Sequence, residues 1–120
     1  MKPIFKRLHH IQISIPPGAE AAAREFYGGV LGLSALAKPD AVRPKYFWYA
    51  IADIELHIGS EAGQAPSERH PAFEVENLDA LRSYLETRGV TTRDAVTLPA
   101  GRRFFFYDPF GNRFEVMEKE

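Results

Sequence analysis

The chain has 120 residues, 45% of them hydrophobic and 26% charged, the composition of one globular domain and not of a disordered segment. Fifteen basic against sixteen acidic side chains leave a net charge of -1, so there is no electrostatic reason to expect nucleic acid or an anionic membrane as partner. The absence of cysteine excludes disulfides, thiolate catalysis, iron–sulfur clusters and Cys-based zinc sites, leaving oxygen and nitrogen groups to carry any chemistry.

Residues 8–15, LHHIQISI, alternate: Ile11, Ile13 and Ile15 face one way, His10, Gln12 and Ser14 the other, as in a strand with one apolar face. Pro16, Pro17 and Gly18 end it. In AEAAAREFYGGVLGL, residues Ala22, Ala23, Phe26, Tyr27, Val30 and Leu31 recur at helical spacing. Gly28, Gly29 and Gly32 weaken the end of that helix, each costing about 1 kcal/mol. Tyr46 to Ile58 is aromatic and β-branched and predicts two strands turning near Ala52–Asp53. Residues 59–69 are polar and turn-rich, a loop.

The pattern then restarts. HPAFEV at 70–75 predicts a strand with Phe73 and Val75 on one face and His70 and Glu74 on the other. Asn77 is a good N-cap for LDALRSYLETRG, whose Leu78, Leu81 and Leu85 form one stripe closed by Gly89. After the polar stretch 91–103, RRFFFYDPFGNRFEVME predicts a hairpin turned at Asp108 to Asn112, where Gly111 and Asn112 serve the turn. No apolar run approaches the roughly 18 residues of a membrane span, and MKPIFKRLHH has no signal-peptide core. A cytoplasmic location is expected.

The order is thus β-α-β-β(-β) written twice, a sign of internal duplication. His10 and His70 each open the strand before a helix, and an ungapped overlay of 47–58 on 105–116 pairs His57 with Glu115. The polar faces of these strands carry His10, His57, His70 and Glu115, while helices are expected to cover the apolar faces. Three imidazoles and a carboxylate converging in a concavity would suit a first-row divalent metal, Zn, Mn, Fe, Co or Ni, able to polarise a substrate oxygen. Each residue alone is an ordinary half-exposed strand position; the joint placement carries the expectation. Trp48, Phe104 and Phe106 are candidates to stack on a substrate or to form core, and Arg102, Arg103 and Lys45 to bind a carboxylate or phosphate or simply to be solvated.

The run LHHIQISI, FYGGVLGL, IELHIG, HPAFEVENLDALRSYLETRGV and RRFFFYDPFGNRFEVME resembles the vicinal oxygen chelate superfamily of glyoxalase, bleomycin-resistance and extradiol-dioxygenase proteins. FYGGVLGL and DPFGNRFEVME are its most specific pieces. The resemblance implies an α+β fold of two tandem βαβββ modules, a curled, partly open mixed sheet around a central cavity. It implies one domain over 1–120, with module 1 at about 6–60 and module 2 at about 68–119, and a homodimer. It selects His10 over His9, matches His70 and Glu115 to ligand positions, and leaves Glu55 or His57 for the fourth, with the overlay favouring His57. The metal set expected is His10, His57, His70 and Glu115, one ion per site, with Glu115 and Glu55 as proton shuttles. The activity implied is metal-dependent turnover of a small substrate chelated through neighbouring oxygens: isomerisation, epimerisation, ring cleavage or thiol transfer. The alternative is a metal-free protein that binds an antibiotic or metabolite.

Overall fold

The computed structural model describes residues 1–39, 46–63 and 67–119. Its elements are β1 (His10–Ile15), α1 (Glu20–Arg24), β2 (Ser34–Leu36), β3 (Phe47–Ile51), β4 (Ile54–Ser60), β5 (Ala72–Glu74), α2 (Leu78–Thr87), β6 (Thr92–Asp94), β7 (Gly101–Tyr107) and β8 (Arg113–Lys119). They build two four-stranded mixed sheets of the same topology, ordered β1-β4-β3-β2 and β5-β8-β7-β6. In each the first strand runs parallel to the last and the other pairs are antiparallel. Neither sheet closes, as the α+β expectation of two βαβββ units requires.

Two details differ from the sequence expectation. The first helix is α-helical only over Glu20–Arg24 and continues through Glu25–Val30 as a π-helical turn. Gly28 and Gly29, poor formers of a regular α-helix, lie in that turn. A Cβ on Gly28 would already meet Tyr49 at 3.5 Å. The other difference is β2 and β6, three-residue strands at the sheet edges that no alternation announces.

One apolar cluster joins both halves, from Ile15, Phe26, Tyr27, Tyr49, Leu56 and Ile58 to Leu78, Leu85, Phe104, Phe106, Phe114 and Val116. Helix α2 presents Leu78 and Leu85 to it, and its N-terminal amides are satisfied by Asn77 Oδ1, which accepts from Ala80, and by Glu118, which accepts from Asn77 and Leu78. The halves are also clasped by polar groups. Tyr27 Oη donates to Asp108 Oδ2 at 2.6 Å, Asn112 Nδ2 donates to the Ser14 carbonyl at 2.9 Å, and Tyr84 Oη donates to the Val30 carbonyl at 2.6 Å.

Gly101 starts β7 with φ +146°, and a Cβ there would collide with the Glu118 carbonyl on β8. Replacing it with alanine combines backbone strain with that clash, an expected loss of about 2–5 kcal/mol of stability measurable by urea denaturation.

Candidate functional site

Alternation along each strand splits the residues between a core face and an open face. On the first sheet, Ile15, Tyr49, Leu56 and Ile58 turn to the core, and His10, Trp48, Glu55 and His57 take the other face. His10 stands beside Glu55 in the β1–β4 register, and Trp48 opposite His57 across β3–β4. Their rings form a three-layer stack. Trp48 lies 4.2 Å from His57 with 7° between planes, and His57 lies 4.1 Å from His10 with 15° between planes. His57 Nε2 lies 2.9 Å from Glu55 Oε1, and Nδ1 of His9 and of His10 are 3.0 Å apart. The hydrogen bond from His57 holds the Glu55 carboxyl below the usual carboxylate range. Desolvation, with the positive charge that His57 and His9 can carry, holds His10 below the ordinary imidazole value.

The second sheet has its own set. Core positions are Phe104, Phe106, Phe114 and Val116, so the two phenylalanines considered as substrate platforms are packing residues. The open face carries Arg103, Phe105 and Tyr107 from β7 and Arg113, Glu115 and Met117 from β8, with Arg93 opposite Phe105 and Ala72 opposite Glu115. His70, just before β5, places Nε2 3.1 Å from Glu115 Oε1, and Arg103 Nη1 donates to the same oxygen at 3.3 Å. His70 Nδ1 donates to the Glu68 carbonyl at 2.7 Å, which turns Nε2 towards Glu115. Glu115 is only 8% exposed, so both partners bear on a carboxylate with little water around it.

The two sets match in register. Gln12, two residues after His10, pairs with His57; Ala72, two residues after His70, pairs with Glu115. Their hairpins differ: Ala52 and Asp53 suffice to turn the first, while Asp108 to Asn112 turn the second. Within the chain the structure brings together His10, His57 and Glu55 on one sheet and His70 and Glu115 on the other. Among the described residues, no three His, Asp or Glu side chains are grouped so as to hold a metal ion. Of the basic residues singled out in the sequence, Arg103 is on the open face. Arg102 turns to the helix side and pairs with Asp79 and Glu118, and Lys45 lies outside the described residues. Arg93 and Arg113 escaped the sequence analysis, because only the strand register shows that they share a face with Arg103.

Trp48 is the single tryptophan, which makes the stack observable. His57→Ala would remove the middle ring and its bond to Glu55, with an expected cost of about 1–3 kcal/mol. The emission of Trp48 should shift to the red as the indole gains water. A fluorescence-monitored denaturation curve reads both, and unchanged emission would mean that the stack does not persist in solution.

Two sheets of identical strand order, each offering imidazole and carboxylate on its open face, define a paired-βαβββ protein. The sequence profile of the Glyoxalase/Bleomycin resistance protein/Dioxygenase superfamily matches residues 7–116. The chain belongs to that superfamily. A solved protein from Bacillus anthracis assigned to the glyoxalase family is 35% identical over 100% of both chains, with a TM-score of 0.90. The genomically encoded fosfomycin resistance protein FosX from Listeria monocytogenes has a TM-score of 0.80 at 18% identity, covering 98% of this chain and 94% of its own. TnmS3, an antibiotic binding protein from Streptomyces sp. CB03234, has a TM-score of 0.76 at 24% identity, covering 98% of this chain and 100% of its own. At those identities the last two share the fold. Among curated proteins the sequence finds no match. No helix among the described residues is long and apolar enough to cross a membrane.

Proposed function

We propose that this protein is a divalent-metal-dependent enzyme of the glyoxalase type, acting on a small substrate that presents neighbouring oxygens. The observation that carries the reading is the retention of nitrogen and oxygen donors at matched positions of both open faces, including a nearly buried carboxylate facing an imidazole nitrogen. Neutral imidazole and carboxylate suit a first-row ion, and the Glu68 carbonyl gives His70 the outer partner that metal-bound histidines ordinarily have. His10, His70 and Glu115 would hold the ion, together with one donor from β4. The parallel stack favours Glu55 for that place. Ring-nitrogen lone pairs lie in the ring planes, so two imidazoles stacked face to face at 4.1 Å do not aim at one point. His57 then orients Glu55 through their hydrogen bond.

Because the two donor sets lie on different sheets of one chain, we assign the complete site to a homodimer in which module 1 of one copy meets module 2 of the other. When bound, the ion supplies electrophilic stabilisation of an anionic substrate oxygen. In this reading Glu55 and Glu115 would accept and return a proton at the substrate carbon. Plasma mass spectrometry on untagged protein tests the metal, and a protein that stays empty after incubation with Zn, Mn, Fe, Co or Ni overturns it.

A second reading has its own support. The carboxylate of Glu115 is already engaged by His70 and Arg103, and an aromatic stack covers the other donors, a surface that would suit metal-free binding of a flat antibiotic or metabolite. It predicts ligand affinity that depends on Trp48 and ignores chelators.

A further inference from the structure

Arg113, on the open face of the second sheet, carries a charge that no carboxylate among the described residues answers. Its guanidinium lies 3.7 Å over the Phe105 ring, makes no hydrogen bond or ion pair among the described residues, and has a buried Nε without an acceptor. Buried donors are rarely left so. Arg103 approaches the same ring at 5.5 Å while holding Glu115 and the Val96 carbonyl. Arg93, opposite Phe105 on β6, bonds only the Tyr107 hydroxyl, at 3.5 Å. Two guanidiniums thus lie over one aromatic ring, Arg93 stands across from that ring on β6, and Glu115, already shared with His70, is the carboxylate on the same face. Planar guanidiniums laid on an aromatic face keep their N–H edges free for oxyanions, which they bind in pairs.

We infer that this face is an anion subsite: the substrate carries a carboxylate or phosphonate that seats against Arg113, with Arg103 and Arg93 beside it and Phe105 beneath. This rests on the reading of the His70–Glu115 face as the reaction site and adds the substrate's charge to it. The subsite would place the anionic group next to the acid–base pair, so that the head group fixes which part of the substrate reaches Glu115.

Metal-free protein in EDTA, titrated with phenylphosphonate, phenylacetate and the neutral phenylacetamide, tests this with the ¹H–¹⁵N resonance of the Arg113 Nε–H as reporter. At least one anion should shift that resonance and bind at least about tenfold more tightly than the amide; which one does so tells phosphonate from carboxylate. Arg113→Met should weaken that anion by about tenfold, and Arg113→Lys, which keeps the charge but loses the planar fork on Phe105, by less. Arg88→Gln, just past the end of α2 and stacked on Tyr84 away from this face, should leave binding unchanged. Equal affinity for amide and anions overturns the proposal, as does full binding by both Arg113 variants. Since chelator is present throughout, these outcomes are independent of whether the protein takes up metal.

Discussion

Close to one first-row divalent ion per chain is expected in the untagged protein, and a His10→Ala/Glu115→Ala variant should lose it. Each substitution removes a donor from a different sheet, so the single variants separate two arrangements. If module 1 of one copy meets module 2 of the other, neither single variant binds tightly, yet a refolded mixture of the two regains metal. A mixed dimer then holds one intact site, made from the His70–Glu115 set of the first variant and the His10–Glu55 set of the second. Metal content that never recovers on mixing would place the complete site within one chain. Loss of one ligand from a four-donor site is expected to cost at least about tenfold in affinity, since even outer partners of such ligands are worth that much. His57→Ala, in contrast, should weaken metal only through the orientation of Glu55.

The second large effect concerns the clasp between the halves. Asp108 is 5% exposed and accepts four hydrogen bonds, from Tyr27 Oη, Phe110 N, Asn112 N and Asn112 Nδ2, between 2.6 and 2.9 Å. Burial, and the negative charge of Asp108, push the Tyr27 phenol far above its ordinary value, so Tyr27 remains a neutral donor at any working pH. Asp108→Ala leaves the buried Tyr27 hydroxyl and three turn donors without their acceptor, an expected loss of about 3–5 kcal/mol. Tyr27→Phe removes one of the four bonds and should cost about 1–3 kcal/mol. The double variant should be scarcely less stable than Asp108→Ala alone, because both act on one network. Additive losses in urea denaturation would show that Tyr27 and Asp108 contribute separately.

The strands that bury one face were legible in the sequence because period-two alternation is a direct image of that burial. His10, Ile11 and their neighbours belong to this class, whereas the second-half hairpin was legible from its turn residues Asp108 to Asn112. Edge strands β2 and β6 owe their extended form to the partner beside them, and three residues are too few to show a period. The π-helical turn was signalled only as a glycine-weakened helix. For the candidate site, the sequence indicated that His10, His57 and Glu115 lie on polar strand faces, but not how they are grouped. The stack of Trp48, His57 and His10 depends on side-chain rotamers and cross-strand register, which leave no local mark. The same holds for Arg113, which the quoted motif DPFGNRFEVME contains and which draws notice only once it lies over Phe105.

The shared strand order of the two sheets has a consequence for how such a protein can change. Each open face carries an imidazole beside a carboxylate, but the first adds stacked rings and the second adds guanidiniums over a phenylalanine. Mutation can therefore change the charged half while the stacked half keeps its shape, or the reverse. A lineage built this way can move between ligands by altering one repeat at a time, and descendants with unrelated substrates would still share the same backbone.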